Sequence, residues 1–248
     1  MHTIDGRFGG KTVIVTGAGS GIGLATANRL LREGAQVIVN DIDSERLGVF
    51  AEQGSAVRVA GDLTDEGIVR ALFEAADGSL DGLANVAGIM DGFLPVGEVD
   101  DATWERVFAV NVTAVMRCTR AAVRQMSASS GGSIVNVASE AALRGSAAGA
   151  AYTAAKHAVV GLSKNAAFMH RADGIRVNVV APGAVRTGIE ATPRSERGFA
   201  QIAGLLGAIR PSTAEPEDIA AAIAWLLSDE SKNVNGAVLS SDAGWSAV

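Results

Sequence analysis

Short runs of β-branched residues alternate with longer amphipathic segments along this chain, and that rhythm constrains its fold more than any other feature. Strand candidates fall at 12–16, 36–40, 56–60, 82–86, 133–137, 176–180 and 237–240. Helical periodicity runs near 22–33, 44–52, 65–76, 101–126, 151–171 and 215–228, with Ser44, Thr64 and Glu215-Pro216 as start signals. Strict β/α alternation joins parallel strands by crossover helices, so the expected class is α/β. The predicted architecture is a doubly wound parallel sheet of about seven strands with helices on both faces.

No internal repeat, low-complexity tract or linker divides the 248 residues, and 48% apolar content is ample for one core, so 1–248 is read as a single domain. One stretch breaks the rhythm. Residues 187–212 form a long insertion after a strand candidate, with Gly and Pro at its ends and an apolar middle, the pattern of a lid over a site or of an ordinary surface helix pair. A formal charge of −6 without any basic run argues against a nucleic-acid partner. The first residues lack an apolar signal-peptide core and no stretch is apolar enough to span a bilayer, so no membrane partner and a soluble, cytoplasmic protein are expected. Cys118 is the only cysteine and reads as a buried thiol. His2, His157 and His170 are scattered, so no metal site is expected.

After the first strand candidate comes Thr16-Gly17-Ala18-Gly19-Ser20-Gly21-Ile22-Gly23, leading into a helix. Glycines permit positive φ and bring backbone N–H groups close to an anion, and the helix start adds a favourable dipole, so a pyrophosphate is the natural guest. This is not G-x-G-x-x-G, because Ile22 occupies the place of the last glycine. The second strand candidate ends near Asp41. A carboxylate there can accept hydrogen bonds from the adenosine ribose and repels a 2′-phosphate, which favours NAD over NADP; it can equally cap the next segment. Ser20 and Ile42 stand where a 2′-phosphate site calls for a cation, and Arg46, the nearest one, reads as a solvated helix residue. Asp62 and Asn85 continue the line of residues at the carboxyl ends of strands, the edge where open α/β sheets bind ligands.

Tyr152 is the only tyrosine, and Lys156 follows it by one helical turn on the same face. A cation beside a phenol favours the phenolate, giving an acid/base closer to working pH; the spacing also fits a half-buried ring beside a solvated charge. Ser139, at the end of the fifth strand candidate, brings a hydroxyl to the same sheet edge.

With these motifs in order, the sequence resembles the short-chain dehydrogenase/reductase family, whose fold is Rossmann-like. The resemblance spans nearly the whole chain: Thr16-Gly-x-x-x-Gly-Ile-Gly23, Asp62, Asn85-x-Ala87-Gly88, Asn111, Ser139, Tyr152-x-x-x-Lys156 and Pro182-Gly183-x-x-x-Thr187. It implies hydride transfer between NAD(H) and a secondary alcohol or ketone. In that scheme Tyr152 is the general acid/base, Ser139 bonds the substrate oxygen, and Lys156 lowers the phenol's pKa and binds the nicotinamide ribose. Asn111 holds a water linking Lys156 to solvent. The implied cofactor contacts are Gly17, Ser20, Gly21, Ile22, Gly23, Asp41, Asp62, Leu63, Asn85, Ala87, Gly88, Tyr152, Lys156, Pro182, Gly183, Val185 and Thr187. Val86 replaces a commonly found second asparagine and Ala138 a frequent serine, and neither change removes a reacting group. An NADPH-dependent 3-oxoacyl carrier-protein reductase and a non-catalytic nucleotide sensor remain as alternatives.

Met90, Phe93, Ala141, Leu143, Gly149 and Gly183, with Ile189, Phe199 and Leu205 from the lid, are expected to border the substrate and suit a neutral, moderately hydrophobic molecule. Small residues on the Tyr152 helix and the resemblance itself imply a homotetramer. Glu140 is read as a solvated neighbour of Ser139 or, alternatively, a determinant of substrate polarity, and Trp245 as an interface residue or a neighbour of another subunit's pocket.

Overall fold

The structure is a computed structural model that describes residues 3–78, 80–209 and 212–247. Seven strands form one parallel sheet in the order β3-β2-β1-β4-β5-β6-β7: β1 (Thr12–Thr16), β2 (Gln36–Asp41), β3 (Ala56–Ala60), β4 (Gly82–Asn85), β5 (Gly132–Val137), β6 (Ile175–Pro182) and β7 (Val238–Ser241). Helices α1 (Gly21–Arg32) to α7 (Pro216–Leu227) cover both faces. The seven expected strands are all present, and the order reverses between β1 and β4, leaving a crevice at their carboxyl ends.

Side-chain alternation in β1 shows why the sheet must be covered twice. Val13 and Val15 pack with Leu30 of α1 and Ile223 of α7. Ile14, pointing the other way, packs with Leu72 of α2 (Glu66–Glu74) and Met126 of α4 (Val115–Ser127). All of these are fully or almost fully buried. Each such side chain contributes about 1.5–3 kcal/mol, so both helical layers are anchored and the carboxyl edge of the sheet is rigid.

Several expected helices differ in detail. The segment near 44–52 is only a 3₁₀ turn, Arg46–Phe50, and Ser44 does not cap it. Asp43 instead accepts from the amides of Glu45 and Arg46, which curls the chain before a helix can start. α2 is capped by Asp65, whose carboxylate accepts from Gly67 N, and not by Thr64. Glu215 and Pro216 do start α7, through a capping box with Asp218. The continuous helix expected at 101–126 is three pieces: α3 (Asp101–Phe108), a π-helical turn (Ala109–Ala114) and α4. Asn111 lies inside that π turn, where its side chain meets Ile89 in the loop after β4.

α5 (Ala150–Met169) carries Tyr152 and Lys156. The insertion after β6 contains α6 (Glu196–Ile209); the part of the expected lid at 210–211 lies outside the described residues. Among the described residues no helix is long and apolar enough to cross a membrane.

Candidate active site

The crevice at the β1/β4 switch opens into a cleft of about 630 Å³. The glycine turn forms its floor. Gly17 and Gly21 have φ of +65° and +50°, conformations that L side chains rarely adopt. A Cβ on Gly17 would lie 2.9 Å from Ala87 Cα, and one on Gly21 would lie 2.9 Å from Thr187 Cβ. The turn is thus clamped between the end of β4 and the segment after β6. Ser20 precedes α1 in extended conformation without using its hydroxyl as a cap, so its oxygen is free for a ligand at the helix start.

Asp41, 7% exposed, accepts from Gly19 N at 2.9 Å and from Asp43 N at 3.0 Å, so the carboxylate shapes the turn as well as facing the cleft. Arg46 also lines the cleft but pairs with Asp43 at 3.1 Å. It sits in the 3₁₀ turn, so the sequence reading of a helix residue is corrected to a paired cation at the cleft mouth. Burial alone would raise the Asp62 carboxyl, but hydrogen bonds from Thr64 and Arg106 win and hold it below the usual carboxylate range. Leu63 lies beside it in the lining. Asn85 spends its side-chain amide in the interior, donating to Asn136 Oδ1 (2.8 Å) and Thr119 Oγ1 (3.3 Å). Sequence reasoning missed Thr16, whose hydroxyl accepts from the amides of Val86 and Ala87 and ties β1 to the loop after β4.

Gly88 leads from the cleft to the reacting groups: a Cβ there would lie 3.2 Å from Asn111 Oδ1 and 3.4 Å from Lys156 Nζ. Asn111 is fully buried and held twice by Ile89, accepting from its N–H (2.9 Å) and donating to its carbonyl (2.8 Å). Lys156, 3% exposed, donates to Val137 O at 3.0 Å, and its Nζ lies 5.4 Å from the centre of the Tyr152 ring. Ser139 accepts from Ala141 N, which leaves its proton free, and its hydroxyl is close enough to the Tyr152 phenol to favour the phenolate. The structure therefore brings Asn111, Ser139, Tyr152 and Lys156 together.

Electrostatics here run against the sequence expectation. Burial pushes the Tyr152 phenol up to about 12; the Ser139 hydroxyl opposes that shift and the Asp91 carboxylate adds to it. Burial also pulls the Lys156 ammonium down to about 8. Without further positive charge the phenol stays protonated, because desolvation outweighs the neighbouring ammonium.

On the far side of the site, Pro182 ends β6, Gly183 packs with a Cβ position 2.9 Å from Asp242 Cα, and Val185 bridges Ala214. Thr187 lines the cleft above Gly21. Gly149 and Gly183 are filled in by close packing against Asp91 and Asp242, so neither presents an open wall to a substrate as the sequence suggested. Phe93 and Phe199 meet edge to face at 5.7 Å, while Ile189 and Leu205 stay exposed. Two further expectations are overturned. Glu140 is 1% exposed and ion-paired with Arg144, so it is not solvated. Trp245 is 8% exposed, with the Arg144 guanidinium over its ring at 5.7 Å and bonded to its carbonyl oxygen, so it packs within its own chain.

An open parallel sheet with a glycine turn at its switch point and a phenol, hydroxyl and ammonium at the same edge defines an α/β protein of the Rossmann-like class. Sequence comparison narrows this. The pattern described as short chain dehydrogenase matches residues 11–198. The chain is 43% identical to 3beta-hydroxysteroid dehydrogenase 2 of Eggerthella lenta over 96% of this chain and 95% of that protein. It is 40% identical to cis-4-hydroxycyclohexanecarboxylate dehydrogenase of Sinomonas cyclohexanicum, over 97% and 98% respectively. Among solved structures, levodione reductase superposes with a TM-score of 0.88 at 33% identity, covering 98% of this chain and 100% of that one. The chain belongs to the short-chain dehydrogenase/reductase family of oxidoreductases, whose members use NAD or NADP.

Proposed function

We propose that this enzyme transfers hydride between NAD(H) and a secondary alcohol or ketone on a saturated ring, with Tyr152 as general acid/base. The observation that carries the reading is the convergence of Tyr152, Ser139 and Lys156 beside a cleft whose glycine-lined floor leaves room for a dinucleotide. The ring preference rests on the apolar border from Met90, Phe93 and the lid, and on the names of two relatives, each of which places a hydroxyl on a saturated ring. Absorbance of the reduced cofactor, followed with NAD or NADP against a panel of cyclic and acyclic secondary alcohols, tests it. Faster turnover with NADP, or with acyclic or acyl-chain substrates, counts against it. The absence of any turnover would favour a nucleotide sensor.

The glycine turn and the free Ser20 hydroxyl suit the pyrophosphate, Asp41 the adenosine ribose, and Pro182 to Thr187 the nicotinamide end. When bound, the nicotinamide supplies the hydride-exchanging carbon and, oxidised, a positive charge. Ser139, whose oxygen already accepts from Ala141 N, donates its proton to the substrate oxygen and orients it. Tyr152 takes the hydroxyl proton in oxidation and returns it in reduction. Lys156, with one N–H on Val137 O, keeps two for the ribose hydroxyls. Asn111 holds a water between Lys156 and solvent. The apolar insertion that contains α6 closes over the substrate as a lid, and exposed Trp104, stacked on Phe108 at 4.6 Å, supplies an apolar face for a homotetramer that light scattering would detect.

Two predictions arise here. Asp41→Ala removes the ribose partner and also loosens the turn at Gly19, so the informative quantity is the NAD/NADP ratio of kcat/KM, in which general loosening cancels. Losing charge-assisted hydrogen bonds of about 1.5–3 kcal/mol should lower that ratio roughly tenfold or more; an unchanged ratio removes Asp41 from cofactor choice. The second concerns pH. Oxidation needs the deprotonated phenol, so its kcat should rise with pH, while reduction needs the protonated phenol, so its kcat should fall as pH rises. Positive charge on the oxidised nicotinamide places the oxidation inflection below the value of about 12 that burial sets, and the neutral reduced nicotinamide leaves the reduction inflection higher. Parallel limbs in the two directions would contradict the assignment.

A further inference from the structure

We propose that Asp91 is a positioning residue for proton transfer, its buried carboxylate fixing the amino end of α5, and with it Tyr152, against the loop after β4. The inference rests on the reading of Tyr152 as the acid/base.

The first N–H groups of a helix have no partner within it, and the residue preceding α5 is Gly149, which has no side chain to serve them. The loop after β4 does so instead. Asp91 Oδ2 accepts from Tyr152 N at 2.9 Å, Asp91 Oδ1 accepts from Gly149 N at 3.2 Å, and Leu94 O accepts from Ala150 N at 2.8 Å. Asp91 is 1% exposed, and backbone amides stabilise it where a cation would otherwise be required. Gly149 permits this approach: a Cβ there would lie 2.5 Å from Asp91 Oδ2 and 2.5 Å from Leu94 N, although its φ of −76° suits any residue.

The same carboxylate fixes the lid's docking point. Asp91 Oδ1 also accepts from Phe93 N at 3.1 Å and holds Phe93 at φ +61°, a strained setting for a bulky residue. There the Phe93 ring meets Phe199 of α6, and Gly92 O receives Arg194 N at 2.8 Å. One buried side chain therefore sets Tyr152 on one side and the base of the lid on the other. Its charge also faces the phenol. The groups around Tyr152 are Asp91 from this loop, Ser139 from the end of β5 and Lys156 from α5 itself.

Asp91→Asn keeps the shape but presents an N–H donor where an acceptor stood, and removes the charge. On the panel alcohol that the wild type oxidises fastest, kcat should fall roughly 10- to 100-fold. The oxidation limb should move to lower pH because the phenol loses a neighbouring anion. Gly149→Ala keeps the carboxylate and displaces it; it should cost kcat by a similar factor, and decides the matter where Asp91→Asn does not fold. Wild-type kcat in folded Asp91→Asn or in Gly149→Ala, or lost turnover with an unmoved pH limb, overturns the proposal. Tyr152→Phe measured alongside separates the two readings. If it turns over normally the acid/base assignment has failed; if it is inactive while Asp91→Asn behaves as wild type, only the role of Asp91 has failed.

Discussion

Tyr152→Phe is expected to reduce turnover by roughly 10²- to 10⁴-fold, the span that positioned general acid–base catalysis contributes, while cofactor affinity changes by less than about threefold. The hydroxyl is the only atom removed. The ring keeps its place because Tyr152 is 7% exposed and its backbone amide stays on Asp91. Hydride transfer to a carbonyl leaves an alkoxide that needs a proton at once, and in the proposed mechanism the Tyr152 phenol supplies it. The cleft is lined by the glycine turn and not by Tyr152, so loss of the hydroxyl should leave most cofactor contacts in place even though the resemblance implies one at Tyr152. Stopped-flow turnover, with cofactor titration on the same preparation, checks both halves. Retained turnover would transfer the acid/base role to another group, and lost cofactor binding would show that the ring, not the proton, was being measured.

The distinction between proton and ring matters because burial, not the neighbouring ammonium, dominates the free enzyme. Lys156 is 5.4 Å from the ring centre, yet desolvation pushes the phenol up and the ammonium down. Such a pair is poor at ionising alone and responsive to added charge. Under the proposed mechanism, the phenol keeps its proton until a positively charged partner arrives.

The sheet was legible from the sequence because its strands are buried on both faces and written as unbroken runs such as Val13-Ile14-Val15. Asn111, Ser139, Tyr152 and Lys156 were singled out through spacing and motif, and the structure gathers these candidates at one edge. What stayed hidden depends on partners far along the chain. The π turn at Asn111 exists through two bonds to Ile89, which no local periodicity announces. Glu140 reads as an exposed carboxylate until Arg144, itself held by Trp245, pairs with it. Asp91 sits in an Asp-Gly turn in a loop; that turn was a readable signal, but its partners Gly149 and Tyr152 lie on α5.

Glycines show the same limit, and they carry the second large effect. Gly23 and Gly161 both lie within helices, α1 and α5, and their own φ values do not demand glycine. Around Gly161 an added Cβ meets nothing within 4 Å. At Gly23 it would lie 2.0 Å from Gly17 O and 2.5 Å from Gly17 C, both backbone atoms. No side chain can move aside, so the turn itself must open. Gly17 cannot retreat, because it is already packed against Ala87 and holds φ +65°. Gly23→Ala should therefore spread the N–H groups that cradle the pyrophosphate and weaken cofactor binding by roughly 100-fold, about 2.7 kcal/mol, with overpacking costing a further 1–3 kcal/mol or so of stability. Gly161→Ala should leave binding unchanged and raise stability by about 0.5–1 kcal/mol through helix propensity. Calorimetric titration of NAD, with thermal unfolding of both variants, tests the contrast. Equal affinities in the two variants would mean that the close approach at Gly23 does not shape the phosphate site.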